Sequence, residues 1–445
     1  MSGHSYRREI GLIVLFAAIV LGVPLAQICI ELVRGERAQC ADLFRYVPSE
    51  KNLREFETTL EDKSWFQRTL RREMQSFLFK ALQDTGSKGM MGRNGWVFYR
   101  PGVRYLVEPN RLELDERDSA WVRSPGDTTR RDSVVQAIVR FRDQLSERGI
   151  RLLVVPVPGK ASVYPDMLTR RAADRQGEFR SPTLELIEQL GIQEVDTVDL
   201  FGLFRRARKG KPLFSSGKAY YLARDTHWTP TGMKLAAEAV AQKVRGMGLT
   251  PEFSRQYAVR RVEVIRYGDI LEMMQVPGIQ EEFPGEAVEC EQVVHKALGL
   301  LVQPNSPRAG TYMSPAAPGQ ETSILVLGDS FCRIYQLAEP RSLGRNVDQT
   351  DRSRPEVTRE GEKRTKRLLP GSAGFISHLA LALEAPVDYI VSDGGASTDV
   401  RRKLSTNAEI IEGKKLVIWV FAERDIGLGK EGWKDVSLPP RLPGM

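Results

Sequence analysis

The segment ARDTHWTPTGMKLAAEAVA places a carboxylate and an imidazole two residues apart, at Asp225 and His227. An aspartate in that position can accept the imidazole Nδ1 proton, which leaves Nε2 free to take a proton from a hydroxyl. Directly after the pair, Thr229 suits a helix N-cap and Pro230 a first helical position, so the loop is pinned where it closes into a helix. Further along, four apolar residues, 324–327, form a strand that runs into Gly328-Asp329-Ser330, and Phe331 can open a helix. A serine at a strand-to-helix turn is exposed at the carboxyl end of a sheet, where nearby backbone N–H groups can stabilise an oxyanion. An Asp-x-His spacing or a Gly-Asp-Ser is common by itself; their conjunction in one chain points to a serine nucleophile served by a histidine base.

The elements that must position these residues follow an α/β rhythm. Asn94-Gly95 reads as a turn before a short strand over 96–99. Apolar residues at near-helical spacing predict a helix over 132–148, followed by an apolar run at 152–157 that fits a buried parallel strand. A helix over 184–190, a strand over 195–198 and a helix over 231–245 come next, and SILVLGDS, VDYIVSDGG and KLVIWVF supply three more strands.

The chain has 445 residues, 41% hydrophobic and 27% charged, so it has ample material for a packed core and is not disordered throughout. Its net charge of +8 is the remainder of 65 basic and 57 acidic residues, which permits an acidic partner without demanding one. Residues 11–30 carry no formal charge and are long enough to cross a hydrocarbon core of roughly 30 Å. With Arg7 and Arg8 before this stretch and no small-x-small cleavage site after it, the reading is an uncleaved anchor with the rest of the chain outside the cytoplasm. Cys29 lies in the apolar stretch, leaving Cys40, Cys290 and Cys332 and at most one internal disulfide. Only four histidines occur and no cysteine pair has metal-ligand spacing, so neither a structural zinc site nor a cofactor is expected.

At GRNGWVFYR, VVPVPGKASVYPDM, DTHWTPTG, YGDILEMM, LGDSF, SDGGAS and IWVFAERD the chain resembles the alginate O-acetyltransferase family, SGNH-hydrolase-like proteins that acetylate exported polysaccharides in the bacterial periplasm. The histidine loop precedes the serine, as in that group and unlike ordinary SGNH esterases. The resemblance implies an α/β fold: an SGNH-hydrolase-like three-layer domain with a mostly parallel sheet, preceded by an N-terminal transmembrane anchor. It also implies Ser330 as nucleophile, His227 as general base and Asp225 as its orienting carboxylate, with the Ser330 backbone N–H and Gly394 and Gly395 forming the oxyanion hole. The family often has Asn before those glycines, whereas Asp393 stands here and donates nothing when ionised. The bland reading of SDGG is a turn. By resemblance, an integral membrane acyltransferase supplies the acetyl groups and a polysaccharide accepts them.

Trp228 is open to two readings, a platform for a sugar ring or packing under the loop. Lys160, after the 152–157 strand, reads as an exposed cation for an acidic substrate or as a solvated loop lysine. Cys332 would point away from the serine's face, and His295 and His378 read as structural. Residues 337–370 hold nine basic against six acidic residues and few apolar ones, and read as a mobile loop or a polysaccharide lid. The mixed charge and the lack of a recognition motif argue against nucleic acid. The expected organisation is an anchor over 1–35, a polar helical lead over 36–89, an acetyltransferase domain over 90–430 and a tail over 431–445, too short for an appended carbohydrate-binding domain. The function that follows is periplasmic O-acetylation of alginate or a similar polysaccharide by a protein tethered to the inner membrane. A carbohydrate esterase with the same triad and a non-catalytic polysaccharide-binding assembly protein remain alternatives.

Overall fold

The computed structural model describes residues 3–35, 49, 53, 64–82, 84–107, 134–172, 181–209, 219–249, 256–296, 299, 301, 312–314, 322–336, 371–428 and 432–439. The 337–370 insertion and Cys40 lie outside them. The chain divides into two compact units, residues 1–86 with 275–279, and 87–274 with 280–445.

In the first unit, α1 (Gly3–Val33) carries a 23-residue apolar span, Gly11–Val33, long enough to cross a membrane. Leu12, Ile13, Phe16 and Leu25 on it are exposed. The amphipathic stretch of the lead continues as α2 (Trp65–Leu82).

The second unit is built on a six-stranded sheet. Its strands are β3 (Arg151–Val157), β4 (Asp196–Thr197), β7 (Tyr312–Ser314), β8 (Ile324–Gly328), β9 (Asp388–Val391) and β10 (Leu416–Ala422), in the order β4-β3-β10-β8-β9-β7. All pairings are parallel except β7 with β9 at the edge. Because side chains alternate across a strand, the sheet feeds two cores. Leu153, Val155, Val326, Ile418 and Val420 pack on one face against α6 (Pro230–Gly246) and α9 (Phe375–Leu383). On the other, Leu152, Val154, Leu325, Leu327 and Trp419 pack against α3 (Val134–Ser146), α5 (Thr183–Ile192) and α10 (Asp399–Thr406). Burial on both faces is why these strands read as unbroken apolar runs. The result is the expected three-layer α/β domain with a mostly parallel sheet.

Apart from the sheet stand two antiparallel pairs. One is β1 (Gly89–Met91) with β2 (Val97–Tyr99), joined by the anticipated turn in which Asn94 and Gly95 both have positive φ. The other pairs β5 (Tyr257–Arg266) with β6 (Glu286–His295), and it was not anticipated. Residues 432–439, expected as part of a tail, pack onto the domain instead. Trp433 is buried against Trp419 and Phe421, and Arg401 donates to the Lys434 carbonyl.

His378 has the structural role expected of it: from α9, it donates Nε2–H to the Glu291 carbonyl of β6 at 3.0 Å. Burial pushes its imidazole down from 6.5 to about 4. The unfolded chain therefore binds a proton in this window that the folded chain refuses, so stability is intact above 6.5 and is lost as pH falls towards 4. At about 1.36 kcal/mol per unit, this group alone removes about 2 kcal/mol by pH 5. His378→Gln should narrow the difference in urea unfolding free energy between pH 7 and pH 5 by that amount; an unchanged difference would show that His378 does not carry the acid sensitivity.

Candidate active site

Four loops converge at the carboxyl edge of the sheet, after β3, β10, β8 and β9. The β8 loop carries Ser330 at the start of α8 (Ser330–Arg333). Asp329 caps this helix: its Oδ1 accepts the Phe331 N–H at 2.9 Å, and its Oδ2 accepts the Ala422 N–H of β10, also at 2.9 Å. The turn is tight, since a Cβ on Gly328 would stand 2.5 Å from the Cys332 sulfur. Cys332 is buried, and burial raises its thiol well above the ordinary range, which removes it as a rival nucleophile.

The histidine loop is clamped from several directions. Thr229 caps α6 by accepting the Gly232 N–H and anchors itself by donating to the Ala219 carbonyl at 2.6 Å. Lys160, first residue of α4 (Lys160–Val163), donates to the carbonyls of Leu222, Ala223 and Asp225 at 3.1, 2.9 and 2.8 Å. Glu286 of β6 accepts the N–H groups of Ala223 and Arg224, both at 3.1 Å. Asp269, from α7 (Asp269–Met274), accepts the Thr226 N–H at 2.6 Å and its hydroxyl at 2.5 Å. Gly268 precedes it at φ +94, and any Cβ there would strike the Arg224 carbonyl. The loop's backbone polar groups are thus paired by charged side chains from three separate segments, α4, β6 and α7.

Within this clamp the expected dyad forms. Asp225, fully buried, accepts the His227 Nδ1 proton at 2.6 Å, and its second oxygen accepts from Arg266 Nη2 at 2.7 Å. Burial pushes the Asp225 carboxyl up, but Arg266 and His227 outweigh it and hold the group well below the usual carboxylate range. Asp269 lies 3.5 Å from the same Nδ1, and burial together with Asp225 pushes its carboxyl up to about 6. Asp225, His227 and Asp269 bring potential metal-ligand atoms within 4.8 Å of one another. Both Asp225 oxygens and both Asp269 oxygens already accept hydrogen bonds, and the guanidinium supplies the positive charge an ion would bring.

At the other end of the ring, His227 Nε2 is buried and makes no hydrogen bond. The imidazole lies 4.9 Å from the Phe331 ring, so the serine's helix and the histidine loop meet through this aromatic contact, with no hydrogen bond between Nε2 and Ser330. The Arg424 guanidinium lies over the Phe331 ring at 5.6 Å.

Several expectations are corrected here. Lys160 is neither a solvated loop lysine nor exposed to a substrate: it is 5% accessible and spends its ammonium on three carbonyls. Trp228 is fully buried between Phe331 and Phe375, which excludes a sugar platform and leaves the packing reading. Gly395 donates its N–H to the Ser392 carbonyl across the turn and so is not free for an oxyanion; Gly394, at φ +66, is exposed. The Asp393 carboxylate accepts from Arg333 Nε at 2.8 Å, tying this turn to the serine's helix. Arg266, Asp269, Glu286 and Asp329 went unassigned in the sequence, although Tyr267-Gly268-Asp269 stood out as a motif without a role.

Removing Arg266 leaves Asp225 a buried carboxylate short of a partner. Arg266→Met should cost about 3 kcal/mol of unfolding free energy, most of it recovered in the double variant with Asp225→Asn. A urea double-mutant cycle in which the two losses simply add would refute this pairing as a support of the fold.

The comparisons agree with the motifs. Residues 90–350 match the family model described as SGNH hydrolase-like domain, acetyltransferase AlgX. The chain is 22% identical over 245 residues to the probable alginate O-acetylase AlgJ of Pseudomonas aeruginosa, covering 54% of each chain. It is 26% identical over 160 residues to the protein of the same name from Azotobacter vinelandii, covering 36% of this chain and 37% of that one. The chain thus spans about half the length of the first of these relatives and less of the second. The solved O-acetyltransferase domain of Pseudomonas putida AlgJ superposes with a TM-score of 0.46 at 18% identity, covering 76% of this chain and 92% of that one. The family match spans more than half of the chain and includes both the histidine loop and the serine turn, and the chain therefore belongs to the family of SGNH hydrolase-like acetyltransferases described as AlgX.

Proposed function

We propose that this protein transfers acetyl groups to hydroxyls of an exported polysaccharide, alginate or a similar polymer, through an acyl-serine on Ser330. The observation that carries the reading is the buried Asp225–His227 hydrogen bond, which leaves His227 Nε2 without a partner beside the serine's helix. In the first step Ser330 Oγ gives its proton to Nε2 and forms a bond to the donor's acetyl carbon. The oxyanion is met by the Ser330 backbone N–H and by the turn at Gly394, and its collapse expels the donor's leaving group, which takes the proton from the imidazolium. In the second step a sugar hydroxyl gives its proton to Nε2 and attacks the acyl carbon, and Ser330 leaves with that proton. Asp225 stays ionised throughout and keeps the ring oriented, a role supported by the Arg266 pair that lowers its proton affinity.

By the same reading, the apolar helix α1 tethers the catalytic unit to the inner membrane on its periplasmic side. An integral membrane acyltransferase acts as acetyl donor.

Ser330→Ala should abolish acetylation of the cell's exopolysaccharide while leaving the protein folded; undiminished acetyl content would sink the mechanism. Incubation of the purified protein with a chromogenic acetyl ester, with and without a polysaccharide acceptor, separates transfer from hydrolysis. Acetylated polymer supports the transferase, whereas ester cleavage indifferent to the acceptor, with no acetylated sugar formed, identifies an esterase.

A further inference from the structure

Lys160 is a buried cation that reaches the backbone of the histidine loop from the end of β3. Its ammonium has three protons, and three carbonyls of the same loop accept them, at Leu222, Ala223 and Asp225. The rings of Trp96 and Phe98 close over it at 5.7 and 5.2 Å and exclude water. Asp225, Asp269 and Glu286 face it from the loop, from α7 and from β6, and Glu423 and Arg424 line the same small cavity from the end of β10. An amine that loses its third proton turns a lone pair towards one of the three carbonyls and must release it. The loop segment so released carries Asp225 itself.

We propose that Lys160 is a positioning residue for the general base: its charged form holds the Asp225–His227 loop in the geometry that presents Nε2 to the serine, and its deprotonation lets that geometry relax. This inference rests on the acyl-serine reading above. Burial brings the Lys160 ammonium down to about 7, so the change falls within the working range of an imidazole base. The sign distinguishes positioning from mere folding support. Below about 7 the clamp is charged and complete; above it the clamp loosens and acylation slows. Over the same range the folded chain has already released a proton that the unfolded chain keeps, so the stability contributed by this group rises with pH. Activity and stability therefore move in opposite directions through the titration of one lysine.

The test is the rate at which a fluorophosphonate probe labels Ser330 in the full-length protein, measured against pH alongside unfolding by urea. The native protein should lose labelling rate above neutrality while its stability does not fall. Lys160→Met, which keeps the length of the side chain without its charge, should label about tenfold or more slowly and without that alkaline limb. A variant that labels within about twofold of the native rate and keeps the native pH profile would overturn the proposal. If the variant does not fold, the titration of Lys160 followed by NMR of isotope-labelled lysine in the native protein decides: a labelling rate that stays level through that titration also overturns it. A native protein that no probe labels at any pH refutes the acyl-serine reading, whereas a labelled native protein with an indifferent Lys160 variant refutes this inference alone.

Discussion

A full negative charge sits out of reach of water at Asp225, and much of the architecture around the site exists to make that tolerable. A buried carboxylate costs several kcal/mol unless it is paired and hydrogen-bonded, more than any single neutral hydrogen bond returns. Asp225 meets the cost with the Arg266 guanidinium and the His227 imidazole, and with the peptide N–H groups of His227 and Asp269. Elements that contribute nothing to the central sheet supply this support: β5 delivers Arg266 and α7 the Asp269 N–H to Asp225, while the Glu286 and Asp269 carboxylates hold the backbone of the loop that carries it. The clamp around the loop and the charge compensation of the dyad are one network.

Much of the fold could be read from the sequence because parallel strands buried on both faces leave an unmistakable apolar signature. Residues 152–157, 324–327 and the KLVIWVF run of β10 all fall on strands of the sheet, and Thr229 and Pro230 open α6 as their types predict. β5 escaped notice for the complementary reason. Its sequence, YAVRRVEVIR, keeps most side chains in or near solvent, so it carries no core pattern and looks like a charged loop. The dyad itself was legible because both partners lie two residues apart. Arg266 lies 41 residues from Asp225 in sequence, and no local spacing announces a contact of that range.

Lys160 shows the same limit from another side. Its place after a buried strand reads as an exposed or solvated cation, because local sequence says nothing about what lies across the strand end. Three carbonyls of a loop more than sixty residues away take up its protons, and the rings of Trp96, just before β2, and Phe98, on it, lie over it. Trp228 is the apolar counterpart: beside a candidate base it invites a role in binding, yet it is fully buried, stacked on Phe375 and edge-on to Phe331.

The cap made by Asp329 has a wider consequence. Through the Ala422 N–H it fastens the serine's turn to the central strand of the sheet, while the imidazole is fastened to the β5–β6 pair and α7. Nucleophile and base are therefore mounted on two supports, which meet at the Phe331 ring, close to both His227 and Arg424, and at the Tyr335 hydroxyl, which donates to the Trp228 carbonyl at 3.2 Å. The Tyr335 hydrogen bond joins the two supports, while the aromatic contact nearer the site sets no bond between Ser330 and the imidazole. The spacing between Ser330 and His227 is thus governed by how two braced supports pack together, rather than by a hydrogen bond between the two residues themselves.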